Sequence, residues 1–303
     1  MTYNSLISVM IPCYNAVKTL PMALASLICQ TYEDWECILV DDGSADNPYE
    51  IVSQINDSRI RYIRLEQNMG RGIARQTALD NAKGKYLCML DADDWIYSDK
   101  LQKQIEVMES NPEIVLVSTG MAIVNGQNEL AGVRCRGNSS AILGPFNKLV
   151  MPPVAHAPSM IRMSNAKQVK YDQNFLLGQD VDFLLKILWN NYWCILSDIT
   201  YVYSEYDSVT LKKVLQAHFF NRQMFWKYKQ RFPIASRVNI AKAIAKSFIY
   251  RIFFSLGLGS YLINKRSQRP GTEDLKNFHS ARQTVLNTSE RLVHQAEQTI
   301  AEK

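Results

Sequence analysis

What most constrains the fold of this chain is a rhythm. Short apolar runs alternate with segments of helical periodicity through its N-terminal half. The runs are residues 6–11, 37–40, 60–65 and 86–90, and the last is nearly unbroken, as expected of a strand covered on both faces. Between them, residues 19–30 carry Leu20, Ala23, Leu24 and Leu27 at helical spacing, and 49–55 and 72–82 read as further helices. A helix over 101–108, ended by Asn111-Pro112, precedes another strand at 114–118. Strand and helix in strict alternation predict an α/β fold, with a mostly parallel central sheet and helices on both faces. Ligands bind such sheets beyond the carboxyl ends of the strands. Three of the strand ends here are polar: Pro12-Cys13-Tyr14-Asn15, Asp41-Asp42-Gly43-Ser44 and Asp91-Ala92-Asp93-Asp94. They are expected to meet in one pocket.

The remainder is organised differently. Residues 125–169 are rich in Gly, Pro, Ser and Asn, a region of hairpins and loops suited to shaping a cleft. A helix is expected over 183–188, starting near Gly178, and a last strand over 201–206. Beyond Thr210 the chain becomes helical and basic. From 208 to 272 it holds thirteen Lys or Arg residues and no Asp or Glu, against a net charge of +5 for all 303 residues. This predicts a partition into a catalytic domain, 1–210, with halves 1–119 and 120–210, and a helical extension, 211–303. The basic, aromatic-rich stretch 211–269 suits an anionic membrane surface, as a helix lying in the interface, or a helix packed on the body with solvated lysines. Arg251 and two later glycines make residues 241–263 a poor spanning segment. No nucleic-acid reading motif accompanies the charge. Residues 273–303 read as a polar helix whose weak apolar stripe, Leu275, Phe278, Val285, Leu292 and Ala296, would form a packing or oligomer contact. Six scattered cysteines without a CxxC pair read as reduced thiols. With no basic-then-apolar leader at Met1, a cytoplasmic protein is expected, peripheral on the inner membrane face at most.

Two aspartates one residue apart at a strand tip, Asp91 and Asp93, offer the hard oxygens that a divalent cation prefers. In isolation such a pair is as well explained by a polar turn. Here it stands beside Ser8-Val9-Met10-Ile11-Pro12-Cys13-Tyr14-Asn15, Ile38-Leu39-Val40-Asp41-Asp42-Gly43-Ser44, Asn68-Met69-Gly70 with Ala74-Arg75-Gln76, and Leu90-Asp91-Ala92-Asp93-Asp94-Trp95. In that order and spacing the chain resembles a family 2 glycosyltransferase of the GT-A fold, over residues 5–210, of the bacterial cell-surface polysaccharide type. The resemblance implies a nucleotide-sugar donor, with UDP the expected carrier, and a glycan or lipid-linked acceptor. It places the nucleotide-sugar against Pro12, Tyr14, Asn15, Asp41, Arg75, Asp91 and Ala92, with Asp91 at the ribose. Asp93 would ligate Mg²⁺ or Mn²⁺, while Asp94 supports the loop or caps a helix.

Members of that family that invert the sugar use a carboxylate base at a helix start, and the match here is Asp180 in Gly178-Gln179-Asp180. A helix N-terminus favours the ionised carboxylate. Gln179 stands where the family usually has Glu; it can hydrogen-bond an acceptor but cannot carry charge. His156, in a Pro-rich loop, is a second candidate acceptor contact. Asp182, two residues on, is expected to face away. The loop at 204–210 lacks the histidine common in relatives, which leaves Glu205 or Asp207. Two other readings compete. A sugar nucleotidyltransferase would need a glycine-rich loop after the first strand, which this chain lacks. A non-catalytic nucleotide-sugar-binding or membrane-scaffold protein is opposed by the presence of Asp91, Asp93 and Asp180.

Overall fold

The structure, a computed structural model, describes residues 3–134, 137, 141–205 and 210–301. Its N-terminal half follows the expected alternation: β1 (Ile7–Cys13), α1 (Leu20–Ile28), β2 (Trp35–Asp41), α2 (Tyr49–Val52), β3 (Ile60–Arg64), α3 (Arg71–Asn81) and β4 (Tyr86–Met89). A two-residue β5 (Trp95–Ile96), α4 (Lys100–Ser110) and β6 (Ile114–Val124) complete it. The middle supplies β7 (Leu130–Arg134), β8 (Ile142–Leu143), β9 (Met160–Arg162), α5 (Met163–Ala166), α6 (Gln179–Leu188) and β10 (Tyr192–Ser204). Then come α7 (Leu211–Lys227), α8 (Pro233–Ser255), α9 (Gly259–Asn264) and α10 (Thr272–Ala301).

The sheet runs β3-β2-β1-β4-β9-β6-β10-β5. It is parallel from β3 to β4, where β1 pairs with β2 and β4 and β2 with β3. Beyond β4 it is mixed, because β9 runs antiparallel to both β4 and β6. The sheet is thus uniformly parallel from β3 to β4, and beyond the antiparallel β9 the long β6–β10 pair is parallel again. Every residue of β4 and β6 is buried, and two apolar clusters cover the two faces. Pro12, which lacks an N–H, sits where the β1–β4 ladder has already stopped at Met10 and Met89. The gap opened there between β1 and β4 is the sheet's switch point.

The C-terminal helices do not share one environment. Helix α10 lies on α1, with Phe278 and Val285 buried against Trp95, Ala25 and Val202. Its apolar stripe is thus an internal packing contact; the Ala296 side chain lies outside the described residues. Helix α7 is tied down through α6. Asp182 is fully buried, ion-paired with Lys227 at 2.9 Å and Lys186 at 2.6 Å, and accepts from the Tyr228 hydroxyl at 2.7 Å. As expected, it faces away from the cleft. Removing one partner from a buried pair exposes the others to uncompensated charge, although the lysines here are partly solvated. Asp182→Ala is therefore expected to lower unfolding stability by about 2 kcal/mol, read by urea denaturation, and to open α7 to proteolysis. An unchanged midpoint would remove Asp182 from this structural role.

The five cysteines among the described residues are free; Cys135 lies outside them. No helix among the described residues is long and apolar enough to cross a membrane.

Candidate active site

A cleft of about 820 Å³ lies over the carboxyl ends of β1, β2 and β4. The segment from Pro12 to Ala16 forms one wall, Asp91, Ala92 and Asp93 form another, and Arg71 and Arg75 of α3 lie between them. Lys213, in the first turn of α7, also reaches it.

Local chemistry fixes the loops. Asn15 adopts a left-handed conformation (φ 49°), donates its N–H to Ser44 Oγ and accepts the Ala45 N–H through Oδ1. The β1 loop is thereby stapled to the β2 loop, leaving the Tyr14 ring half exposed at the mouth. Asp41 and Asp42 divide their work. Asp41 is wholly buried, accepting the Ser44 N–H at 2.8 Å and the Tyr62 hydroxyl at 2.5 Å, with Arg64 3.6 Å away. Asp42 lines the cleft and accepts the N–H groups of Met69 and Gly70, at 2.7 and 2.9 Å, which holds the start of α3. Gly70 at φ 90° makes that turn without strain.

The acidic cluster also divides. Asp94 is buried, accepts from the Tyr201 hydroxyl at 2.7 Å and the Ser204 N–H at 2.8 Å, and so joins the turn to β10. Strand β5 follows it directly, so it caps no helix. Burial first, then the charges of Asp91 and Asp93, raise its pKa well above the carboxylate norm. Asp91 and Asp93 open onto the cleft. Asp93 is exposed in the cleft, where partial desolvation by the surrounding walls, followed by the Asp91 charge, raises its pKa.

A cation would relieve this like-charge pair. Among the described residues no cluster of three or more His, Cys, Asp or Glu could hold a metal. A divalent ion here would complete its shell from phosphate oxygens and water, as Mg²⁺ commonly does. The donor set fits such an ion.

Beneath the cleft, Arg75 is buried and lies 3.4 Å from Asp91. Burial opposes its charge, but Asp91 and then Asp180 outweigh it and hold the guanidinium protonated. Asp180, half-buried in the first turn of α6, also acts on His156 and Tyr171. His156 is buried, with Nε2 2.9 Å from the Tyr171 hydroxyl, and Tyr171 stacks on Phe183 at 4.2 Å. Burial and the Arg75 charge lower its pKa to about 4, so the imidazole is neutral at pH 7. Gln179 is turned inward, donating to the Phe175 carbonyl and packing on Gly72. Neither His156 nor Gln179 lines the open cleft. Three buried atoms of this group have no hydrogen-bond partner among the described residues: Arg75 Nε, His156 Nδ1 and Gln179 Oε1.

The sequence-predicted residues Pro12, Tyr14, Asn15, Arg75, Asp91, Ala92 and Asp93 are thus brought to one cleft; Asp180 does not line it but its charge acts on Arg75, and Asp41 is buried behind its wall. Asp42 comes to the cleft with the strand ends expected to meet there, and Arg71, Lys213 and Tyr203 are unforeseen in it. Arg71 precedes Arg75 by one helical turn, a spacing visible in the sequence. Glu205 is committed to Arg134 in a two-point ion pair; Asp207 lies outside the described residues.

This sheet, with acidic strand tips facing cations across the switch point, defines a GT-A fold. The family model for glycosyl transferase family 2 matches residues 8–162, and the chain belongs to that family and is a glycosyltransferase. An uncharacterized glycosyltransferase of Methanocaldococcus jannaschii is 29% identical over 263 residues, covering 83% of this chain and 89% of that one. A UDP-Glc:alpha-D-GlcNAc-diphosphoundecaprenol beta-1,3-glucosyltransferase of Escherichia coli is 40% identical over 141 residues. That match covers 46% of this chain and half the length of the relative. Among solved structures, S. aureus TarS 1–349 in complex with UDP-GlcNAc superposes with a TM-score of 0.62 at 20% identity. It covers 94% of this chain and 82% of that one, a likeness of fold.

Proposed function

We propose that the chain transfers a sugar from a UDP-sugar to a hydroxyl of a lipid-linked glycan, with inversion, on the inner face of the cell membrane. The observation that carries this reading is the cleft itself. Two carboxylates, Asp91 and Asp93, face three cations, Arg71, Arg75 and Lys213, across a space suited to a nucleoside diphosphate. The E. coli relative, whose name specifies a UDP-sugar and a diphosphoundecaprenol acceptor, and the UDP-GlcNAc bound to the TarS neighbour support the donor and acceptor classes.

In this reading the Tyr14 ring and the Pro12–Asn15 turn receive the base, and Asp42 and Asp41 fix the loops around it. Asp91 contacts the ribose and is oriented by Arg75. Asp93, with Asp91 beside it, would hold Mg²⁺ or Mn²⁺, which supplies charge neutralisation for the departing diphosphate. Asp180 takes the proton from the acceptor hydroxyl as that oxygen attacks the anomeric carbon opposite the leaving group. Residues 1–210 form the catalytic unit, and 211–303 an extension that meets the membrane.

A thermal-shift screen of nucleotides and nucleotide-sugars with Mn²⁺ tests the donor half. UDP and at least one UDP-sugar are expected to raise the melting temperature, since a ligand at a hundred times its Kd adds about 2.7 kcal/mol. A shift with purine nucleotides alone would overturn the UDP assignment.

A further inference from the structure

Helix α8 carries a face that the other described residues leave uncovered. Ile234, Phe248, Ile252 and Leu256 are 77%, 63%, 55% and 65% exposed, and Val238, Ile244 and Ile249 are exposed beside them. At about 3.6 residues per turn these side chains fall on one side of the helix. Its opposite side supplies the buried Ser236 and Ala243. The same periodicity sets Arg237 and Arg251 along one border of the apolar face and Lys242 and Lys246 along the other. All four are exposed, and among the described residues none is in an ion pair.

The apolar surface continues from Ile244 and Phe248 into a groove of about 770 Å³ between α7 and α8, rimmed by Lys212, Arg222 and Arg251. The groove starts at Leu211 and Lys212, and the next residue, Lys213, lines the candidate active-site cleft. Surface and cleft therefore meet at the first turn of α7.

We infer that the α8 face, with its flanking cations, is a docking surface for an anionic lipid bilayer, set to hold the cleft mouth beside the headgroups. An apolar strip between two rows of cations is complementary to acyl chains beneath acidic headgroups. A second copy of the chain would bring like charges together along both borders. A nucleic acid would match the cations but leave Phe248, Ile252 and Leu256 in water. Each flanking cation near an acidic surface strengthens binding about fivefold, an effect that salt weakens. The inference deepens the lipid-linked reading of the acceptor, yet it stands or falls on lipid binding alone.

The experiment is co-sedimentation of the full chain with phosphatidylglycerol-containing vesicles and with pure phosphatidylcholine vesicles, at low and high NaCl. The wild type is expected to partition at least tenfold more strongly onto the acidic vesicles and to be released by salt. F248E/I252E and K242E/K246E are each expected to lose at least tenfold of that partition, with circular dichroism unchanged. UDP release without vesicles, measured alongside, should stay within twofold of wild type in both variants. Failure of the transferase reading would show as no UDP release in any variant while vesicle binding persists. Wild-type binding that is absent, equal on both vesicle types, or unaffected by F248E/I252E overturns the inference. So does a stable dimer that F248E/I252E dissolves while vesicles bind neither form.

Discussion

Asp180→Asn is expected to reduce turnover by at least 10³-fold and to leave UDP affinity within a few-fold of wild type. Asparagine keeps the size of the side chain and its place in the first turn of α6, so the loop from Phe175 to Gly178 should keep its path. What it loses is the capacity to accept a proton, and a positioned general base is worth about 10²–10⁴ in rate. The retained UDP affinity follows from location. Asp180 does not line the nucleotide-facing cleft, and its effect on Arg75 is through charge. Steady-state kinetics with calorimetric UDP titration on the same preparations would separate the two effects. If kcat is kept and only KM rises, Asp180 positions the acceptor and another group takes the proton.

The second large effect is expected at Asp93. Asp93→Asn should lower activity by about 10²–10³-fold and abolish the gain in UDP affinity that Mn²⁺ is expected to give the wild type, because one of the two carboxylates proposed to hold the metal is gone. The apo protein should behave in the opposite way. Desolvation and the Asp91 charge both disfavour the ionised Asp93 carboxylate, so its neutral replacement should melt slightly higher in chelator. Asp94→Asn provides the contrast. Its carboxylate is spent on Tyr201 and Ser204, and its loss should lower stability with or without metal. Equal Mn²⁺ dependence in wild type and Asp93→Asn would show that the metal, if used, is held elsewhere.

The residues at the strand tips were legible because β1, β2 and β4 are covered on both faces, and a doubly covered strand must be apolar until it ends. The polar residues that interrupt it then mark the tip. Strand β9 was not legible. It is three residues long, sits between β4 and β6, and its sequence, Met160-Ile161-Arg162, carries no period. Its antiparallel direction is what makes the second half of the sheet mixed. Only the end of β10 was visible, since a register shift between Ile195 and Ile199 interrupts its pairing with β6.

Within the site, the Asp41-Asp42 pair pointed to the right loop but to the wrong member as the one facing the cleft. Consecutive strand residues point to opposite sides, and here that sends Asp41 into the interior and Asp42, itself largely buried, to the wall of the cleft. The bond from Tyr201 to Asp94 spans 107 residues, and Lys213 reaches the cleft from α7, far along the chain from the strand tips. Neither can be read from local spacing. Asp180 could be placed at a helix start from sequence, but its charge contact with Arg75 and His156 required the fold.

The most direct test of the account is UDP release by the purified full chain from a panel of UDP-sugars with Mn²⁺, with and without a diphosphate-lipid glycan acceptor. The account predicts turnover with at least one UDP-sugar, stimulated by the acceptor and lost in Asp180→Asn. A wild-type chain that binds UDP-sugars and turns over none of them with any acceptor would contradict it, and would make this cleft a binding site without catalysis.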